Sequence, residues 1–331
     1  MRRIAREDPS LGAIVRSRRP MLYAEGADPS LDRPEHVRAG SGLAWLGSRL
    51  VVAQDDASFL AILDPADGSV SAITLDHVDR GRRQFDDLRG NKKGKLDLEA
   101  CTVVRAGGTE RLIAWGSGSL PVRERVVVLD HDRRARVIGA SELYAALRAR
   151  TDFAGSELNV EGAVAIGDRV RLFQRGNGAP RGELQPVDAT CDLDVAELVA
   201  WLDAPGVRPP PRPRDVVQWD LGSVRGVRLT FTDSCAGPGG VIAFLAAAEA
   251  SPDAVRDGEV VGVAIGVIEP AAARWTLVRD DQGAPVLDKC EGLAWVPGEV
   301  GRRARVGGDR DAPDTPTELL ELELQGFPRG S

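Results

Sequence analysis

The chain has 331 residues, 43% hydrophobic and 28% charged, a balance that excludes disorder and leaves enough apolar side chain for a sizeable core. Its 43 Lys and Arg against 50 Asp and Glu give a formal net charge of −7, so it has no general electrostatic attraction to nucleic acid or to an anionic membrane. No run reaches the ~20 apolar residues of a membrane span; the charged N-terminus MRRIAREDPSLGAIVRSRR has no signal-like apolar core, and four cysteines without a CxxC pair point to reduced thiols in a cytoplasmic protein rather than to a structural zinc.

In chain order, the first strand-like segment is Met21-Leu22-Tyr23-Ala24. Ser41-Gly42-Leu43-Ala44-Trp45 then opens a series of short β-rich runs at 50–53, 59–63 and 70–74. A charged loop, 81–95, leads to Glu99-Ala100-Cys101-Thr102-Val103, which opens a second series at 112–115, 126–129 and 137–138. Residues 141–150, SELYAALRAR, read as a helical insertion with Ser141 as N-cap. Glu161-Gly162-Ala163-Val164-Ala165 opens a third series, with runs at 170–173 and 216–219, interrupted by a helical reading over 192–202 and a stiff PPPRP at 209–213. Asp233-Ser234-Cys235-Ala236 opens the fourth, with runs at 241–245, 263–267 and 275–278. Glu291-Gly292-Leu293-Ala294-Trp295 opens the last, which has only the run 319–324 before the chain ends.

The openings recur at intervals of about 58, 62, 72 and 58 residues, with about 81 across the termini, which is the spacing of a circular array. The expected fold is therefore all-β: one β-propeller over 1–331, with five blades, six being the alternative, and helical insertions near 141–150 and 192–202. Met21–Ala24 is expected to complete the blade that contains Glu291, leaving no open sheet edge.

In a propeller the first strand of each blade lines the central channel. The leading slot of the repeat holds Ser41, Glu99, Glu161, Asp233 and Glu291, so four carboxylates share one narrow space. Carboxylates that close raise one another's pKa or require a cation, and oxygen donors suit calcium first and magnesium second. Two positions earlier, Asp97 and Asn159 add oxygen donors and Lys289 adds a positive charge. The alternative role for these acids is to hold the ring together through backbone hydrogen bonds. At the mouth, Lys95, Arg123, Arg175 and Asn177, with Lys93, are candidates to bind a small anionic substrate. The three histidines, His36, His77 and His131, form no metal or triad pattern, and the glycine-rich 116–119 and 237–240 lack the GK[ST] of a phosphate loop.

The phrases KLDLEAC, NVEGAVAI and KCEGLAW resemble the acidic-glycine strands of phytase-like β-propellers, the bacterial family described by an esterase-like activity of phytase. They are more distantly similar to gluconolactonase, regucalcin and paraoxonase propellers. The resemblance implies a calcium-bearing channel and hydrolysis of esters, lactones or phosphoesters, and by position it makes Glu99, Glu161, Asp233 and Glu291 metal ligands, with Asn159 as an additional one. The first repeat departs from it, having Ser41 in place of an acid. The function expected is a divalent-metal-dependent hydrolase of a small anionic ester or phosphoester, with a carboxylate among Glu99, Glu161 and Glu291 as general base. The alternative is a non-catalytic propeller that binds a ligand or protein partner and keeps a structural ion.

Overall fold

A computed structural model describes residues 1–250, 258–270, 272–309 and 312–329. Its strands are β1 (Arg2–Glu7), β2 (Gly12–Pro20), β3 (Gly40–Leu46), β4 (Arg49–Gln54), β5 (Phe59–Leu63), β6 (Val70–Thr74), β7 (Leu98–Ala106), β8 (Thr109–Gly116), β9 (Arg125–Asp130), β10 (Ala135–Gly139), β11 (Val160–Ile166), β12 (Arg169–Gln174), β13 (Asp188–Asp194), β14 (Arg214–Asp220), β15 (Ser223–Val224), β16 (Val227–Ala236), β17 (Ile242–Glu249), β18 (Val260–Ile268), β19 (Ala273–Arg279), β20 (Lys289–Trp295), β21 (Arg303–Asp309) and β22 (Glu318–Gln325). The sequence dictates this menu: runs such as RVVVLD and VVGVAIGVI are rich in β-branched residues, which favour strands over helices. Gly47 and Gly167, with φ of 59° and 60°, let β3–β4 and β11–β12 reverse in tight hairpins.

The pairing is antiparallel in runs of four: β3 to β6, β7 to β10, β11 to β14, β16 to β19, and β20, β21, β22 with β2. The innermost strands β3, β7, β11, β16 and β20 lie beside one another in that order, and β20 returns to β3, so the sheets surround a common channel. Between sheets the faces are packed with large apolar side chains. Phe231 makes edge-on contacts with Phe173 and Phe244 at centroid distances of 5.0 and 5.4 Å. Each such buried ring contributes roughly 1.5–3 kcal/mol.

The N-terminal segment differs from the expectation. The strand that completes the sheet of Glu291 is Gly12–Pro20, antiparallel to β22, and not Met21–Ala24. Met21 and Tyr23 instead pack under the β3–β6 sheet, with their backbone held by Thr317 and Glu35. The physical reason is length: a four-residue segment cannot span the eight-residue β22, whereas the nine-residue β2 does. In addition, β1 runs parallel to both β14 and β19, and β2 runs parallel to the end of β19, so residues 2–20 stitch the outer edges of three sheets together. Deleting residues 1–20 should therefore expose β14, β19 and β22 at once and yield aggregated protein. A monomeric truncation with an unchanged melting temperature would contradict this closure.

The helical insertions are α1 (Ser141–Ala149), α2 (Thr151–Ala154) and α3 (Val195–Asp203). Ser141 is the first helical residue and not a side-chain cap; Ala140 precedes it. The second helix starts three residues later than expected, because Asp188–Asp194 is a strand and Asp194 caps α3 by accepting from Glu197 N at 2.9 Å. All three helices pack on the apolar cluster between the β7–β10 and β11–β14 sheets. Among the described residues no helix is long and apolar enough to cross a membrane, and all four cysteines are unpaired.

Candidate functional site

Each innermost strand slips register once against its neighbour: between Gly40 and Gly42, Leu98 and Ala100, Val160 and Gly162, Phe231 and Asp233, and Cys290 and Gly292. A bulge leaves one residue outside the ladder and re-aims its side chain. The bulged residues are Ser41, Glu99, Glu161, Thr232 and Glu291. The fourth member of the repeat is thus Thr232 and not Asp233. Alignment on the acid misplaces this strand by one, because Asp233 stands where its equivalents have Gly or Ala. The small residue matters: a Cβ on Gly292 would lie 2.7 Å from Leu43 Cγ, and one on Gly162 would lie 3.0 Å from Ser234 Oγ, so the motif glycine is where neighbouring inner strands touch. Ser41 and Thr232 both return their hydroxyls to backbone carbonyls, Ala39 O at 3.0 Å and Cys290 O at 2.8 Å.

That leaves three glutamates. Glu99, Glu161 and Glu291 each place a carboxylate oxygen within 4.8 Å of the other two, and all three are buried. Asn159 Nδ2 donates to Glu161 Oε1 at 2.7 Å. Arg175 Nη1 lies 3.5 Å from Glu161 Oε2 and 3.7 Å from Glu291 Oε1, and its other amino group meets Glu249. Lys289 Nζ is 3.3 Å from Glu291 Oε1. Glu99 Oε2 is buried and, among the described residues, has no hydrogen-bond partner. Burial pushes the Glu161 carboxyl up to about 8, with Arg175 opposing and Glu291 adding to the rise. Burial, then the charges of Asp55, Glu161, Glu291 and Asp97, holds Glu99 well above the usual carboxylate range. Three converging carboxylates, one with an unsatisfied oxygen, form a donor set for a hard divalent cation, with Asn159 adjacent.

A second group joins Asp55, Asp97 and Glu99, again within 4.8 Å, but it brings its own cation. Lys95 Nζ is 2.5 Å from Asp55 Oδ2, 2.9 Å from Asp97 Oδ1 and 3.1 Å from Asp56 Oδ1. Arg123 Nη1 reaches Asp97 Oδ2 at 2.8 Å, and Ser117 donates to the same oxygen. Lys95, Arg123 and Arg175 are therefore buried and ion-paired, a tighter arrangement than a solvated rim of cations. Asn177 is half-buried and accepts from Asn159 Nδ2 at 3.2 Å; Lys93 is exposed. By its place at a second-strand end, Asp309-Arg310-Asp311 also reads from the sequence as part of this mouth; Asp309 pairs opposite Lys289 in the sheet, and Arg310 and Asp311 lie outside the described residues.

The sequence reading missed Arg38, which is buried against Asp86 at 3.2 Å and Gln84 Oε1 at 3.3 Å. It also missed the paired roles of Gln54 and Gln174, whose side-chain oxygens accept from the backbone N–H of Arg38 and Asn159 at 2.9 and 2.8 Å. A glutamine ending the second strand of two repeats was the available signal.

Asp233 stands apart from the glutamates. Its Oδ2 accepts from Leu293 N at 2.6 Å. It is fully buried and ties β16 to the backbone of β20. Among the described residues its Oδ1 has no hydrogen-bond partner. Burial raises its pKa against the pull of nearby backbone N–H groups.

One family model, described as a family of unknown function (DUF6929), matches residues 36–324. No curated protein matches the chain significantly. Solved structures with a similar course include Myxococcus xanthus glutaminyl cyclase, at 12% identity over 98% of this chain and 97% of that one with a TM-score of 0.46. A luciferin-regenerating enzyme matches at 9% identity over 89% and 94%, with a TM-score of 0.43. A gluconolactonase from Xanthomonas campestris matches at 13% identity over 97% and 99%, with a TM-score of 0.40. The phytase-like resemblance rests on its motifs alone.

Proposed function

The chain belongs to DUF6929, a family of unknown function, and we propose that it is a five-bladed, divalent-cation-dependent hydrolase whose site is the Glu99–Glu161–Glu291 cluster at one mouth of the channel. The observation that carries this reading is the convergence of three buried carboxylates with Glu99 Oε2 left without a partner. Calcium, with magnesium as the alternative, fits the all-oxygen donor set, and when bound supplies the positive charge that polarises a substrate oxygen and acidifies a water. The rest is work for the chain's own groups. Asn159 and Arg175 fix the orientation of Glu161, and Lys289 holds Glu291. Glu99, whose carboxyl is raised by burial and by the neighbouring acids, is the general base. Lys95, Arg123, Arg175 and Asn177 form the positive and polar side of the mouth that suits a small anionic ester or phosphoester.

The test is turnover of p-nitrophenyl phosphate, p-nitrophenyl acetate and a δ-lactone with millimolar calcium, magnesium or chelator. Hydrolysis of at least one is expected with a divalent cation, and Glu99→Gln should lower kcat by about 10²–10⁴ with KM little changed. Absence of turnover on all three with either cation would remove the enzyme reading. One observation favours a second reading: Lys95, Arg123 and Arg175 are already paired with carboxylates. On that reading the ion is structural and the propeller binds a ligand or partner, and calcium raises the melting temperature without any hydrolysis.

A further inference from the structure

The opposite end of the channel has a different chemistry. Beyond Asp233 the inner strands open into a cavity of 440 Å³ to which β3, β7, β11, β16 and β20 all contribute. Its wall includes Trp45, Val103, Ala165, Ala236 and Trp295, and none of its lining residues is Asp, Glu, Lys, Arg or His. The contrast with the other mouth follows from the strands themselves: beginning two residues after each bulged residue they read LAW, CTV, AVA, SCA and LAW.

The wall carries two indoles and no charged side chain, and Trp45 Nε1 is already satisfied by Trp295 O at 2.7 Å. A concave, uncharged, aromatic-walled space within the usual range of about 300–1,000 Å³ has the make-up of a small-molecule site.

We infer that this second mouth binds a small uncharged ring-bearing molecule, independently of the carboxylate cluster. The ring occupies the space beside the tryptophans and the alanine-lined strands. A charged ligand is disfavoured, since nothing on the wall would compensate its desolvation. The exposed rim at Ala236 and the turn residues Gly47, Pro297 and Val300 give the route in.

The probe is prodan, a neutral naphthalene ketone whose emission reports a dry environment, added to the full chain. Saturable binding of one prodan per chain is expected, at least tenfold tighter than that of anilinonaphthalene sulfonate, which carries a similar ring and a charge. Ala236→Trp, at an exposed position, and Ala165→Phe, on a half-buried one, should each fill the space and weaken prodan at least tenfold, with melting temperature confirming the fold. Glu161→Gln, at the other mouth, should leave prodan binding unchanged. Unsaturable binding, equal affinity for the two probes, or binding indifferent to both filling variants would overturn the proposal. So would a chain that self-associates and releases prodan as it does, because the wall would then be a contact between copies.

Discussion

Without a divalent cation, the melting temperature of this protein should fall as pH rises from about 5 to about 8, and millimolar calcium should reverse most of that fall. The sign follows from Glu161, whose carboxyl is raised by burial to about 8 in the folded chain. An unfolded glutamate loses its proton near pH 4.3. Across the intervening range the folded state holds more protons than the unfolded one, so stability decreases with pH and levels off above about 8. Glu99 is raised for the same reason and adds to the slope. Depressed acids such as Asp8, held at about 2 by Ser10 and Arg274, have finished titrating by then. A cation binds the ionised carboxylates, so its stabilisation is largest at the alkaline end, on the order of several degrees at saturating concentration. Melting curves at two pH values, with calcium and with chelator, measure both effects. A midpoint that rises with pH in chelator, or a calcium response equal at both pH values, would contradict the assignment.

Asp233→Ala should destabilise the fold while leaving the response to calcium intact. The carboxylate accepts from Leu293 N on the neighbouring inner strand. Removing it leaves that buried backbone donor unsatisfied, at roughly 1–3 kcal/mol. Relief from burying a carboxylate subtracts from that, so a net loss of about 1–2 kcal/mol is expected. Asp233→Asn, which keeps one acceptor oxygen, should lose less. If Asp233→Ala abolished the calcium shift and kept the melting temperature, Asp233 would be a ligand and not a brace between strands.

The difference between Asp233 and its glutamate neighbours also shows how far the chain could be read directly. Repeating phrases such as VEGAVAI and CEGLAW mark the inner strands because each carries a bulged acid followed by a glycine where strands touch. Spacing alone therefore located β7, β11 and β20 and the three glutamates they aim. The bulge itself has no signature in one strand, so TFTDSCA was aligned by its charge and came out one residue off. Pairing across the termini was legible as a need, yet Gly12–Pro20 was hidden by its arginines, which point outward to Glu323, Asp288 and Glu318. The basic residues at the mouth were legible as a group, but their burial was not. Lys95 meets Asp55 and Asp56 from another repeat, 40 and 39 residues away, a contact that only the packing of neighbouring sheets creates.

The central claim is that Glu99, Glu161 and Glu291 together hold one divalent cation. The most direct measurement is calorimetric titration of the metal-free chain with calcium and then magnesium, at a pH above about 8, the value to which burial raises Glu161. One ion per chain is predicted for the native protein, with binding weakened at least tenfold in Glu161→Gln and unchanged in Asp233→Asn. No heat of binding for either cation, or an ion retained at full affinity in Glu161→Gln, would show that the three glutamates are held apart by Arg175 and Lys289 alone.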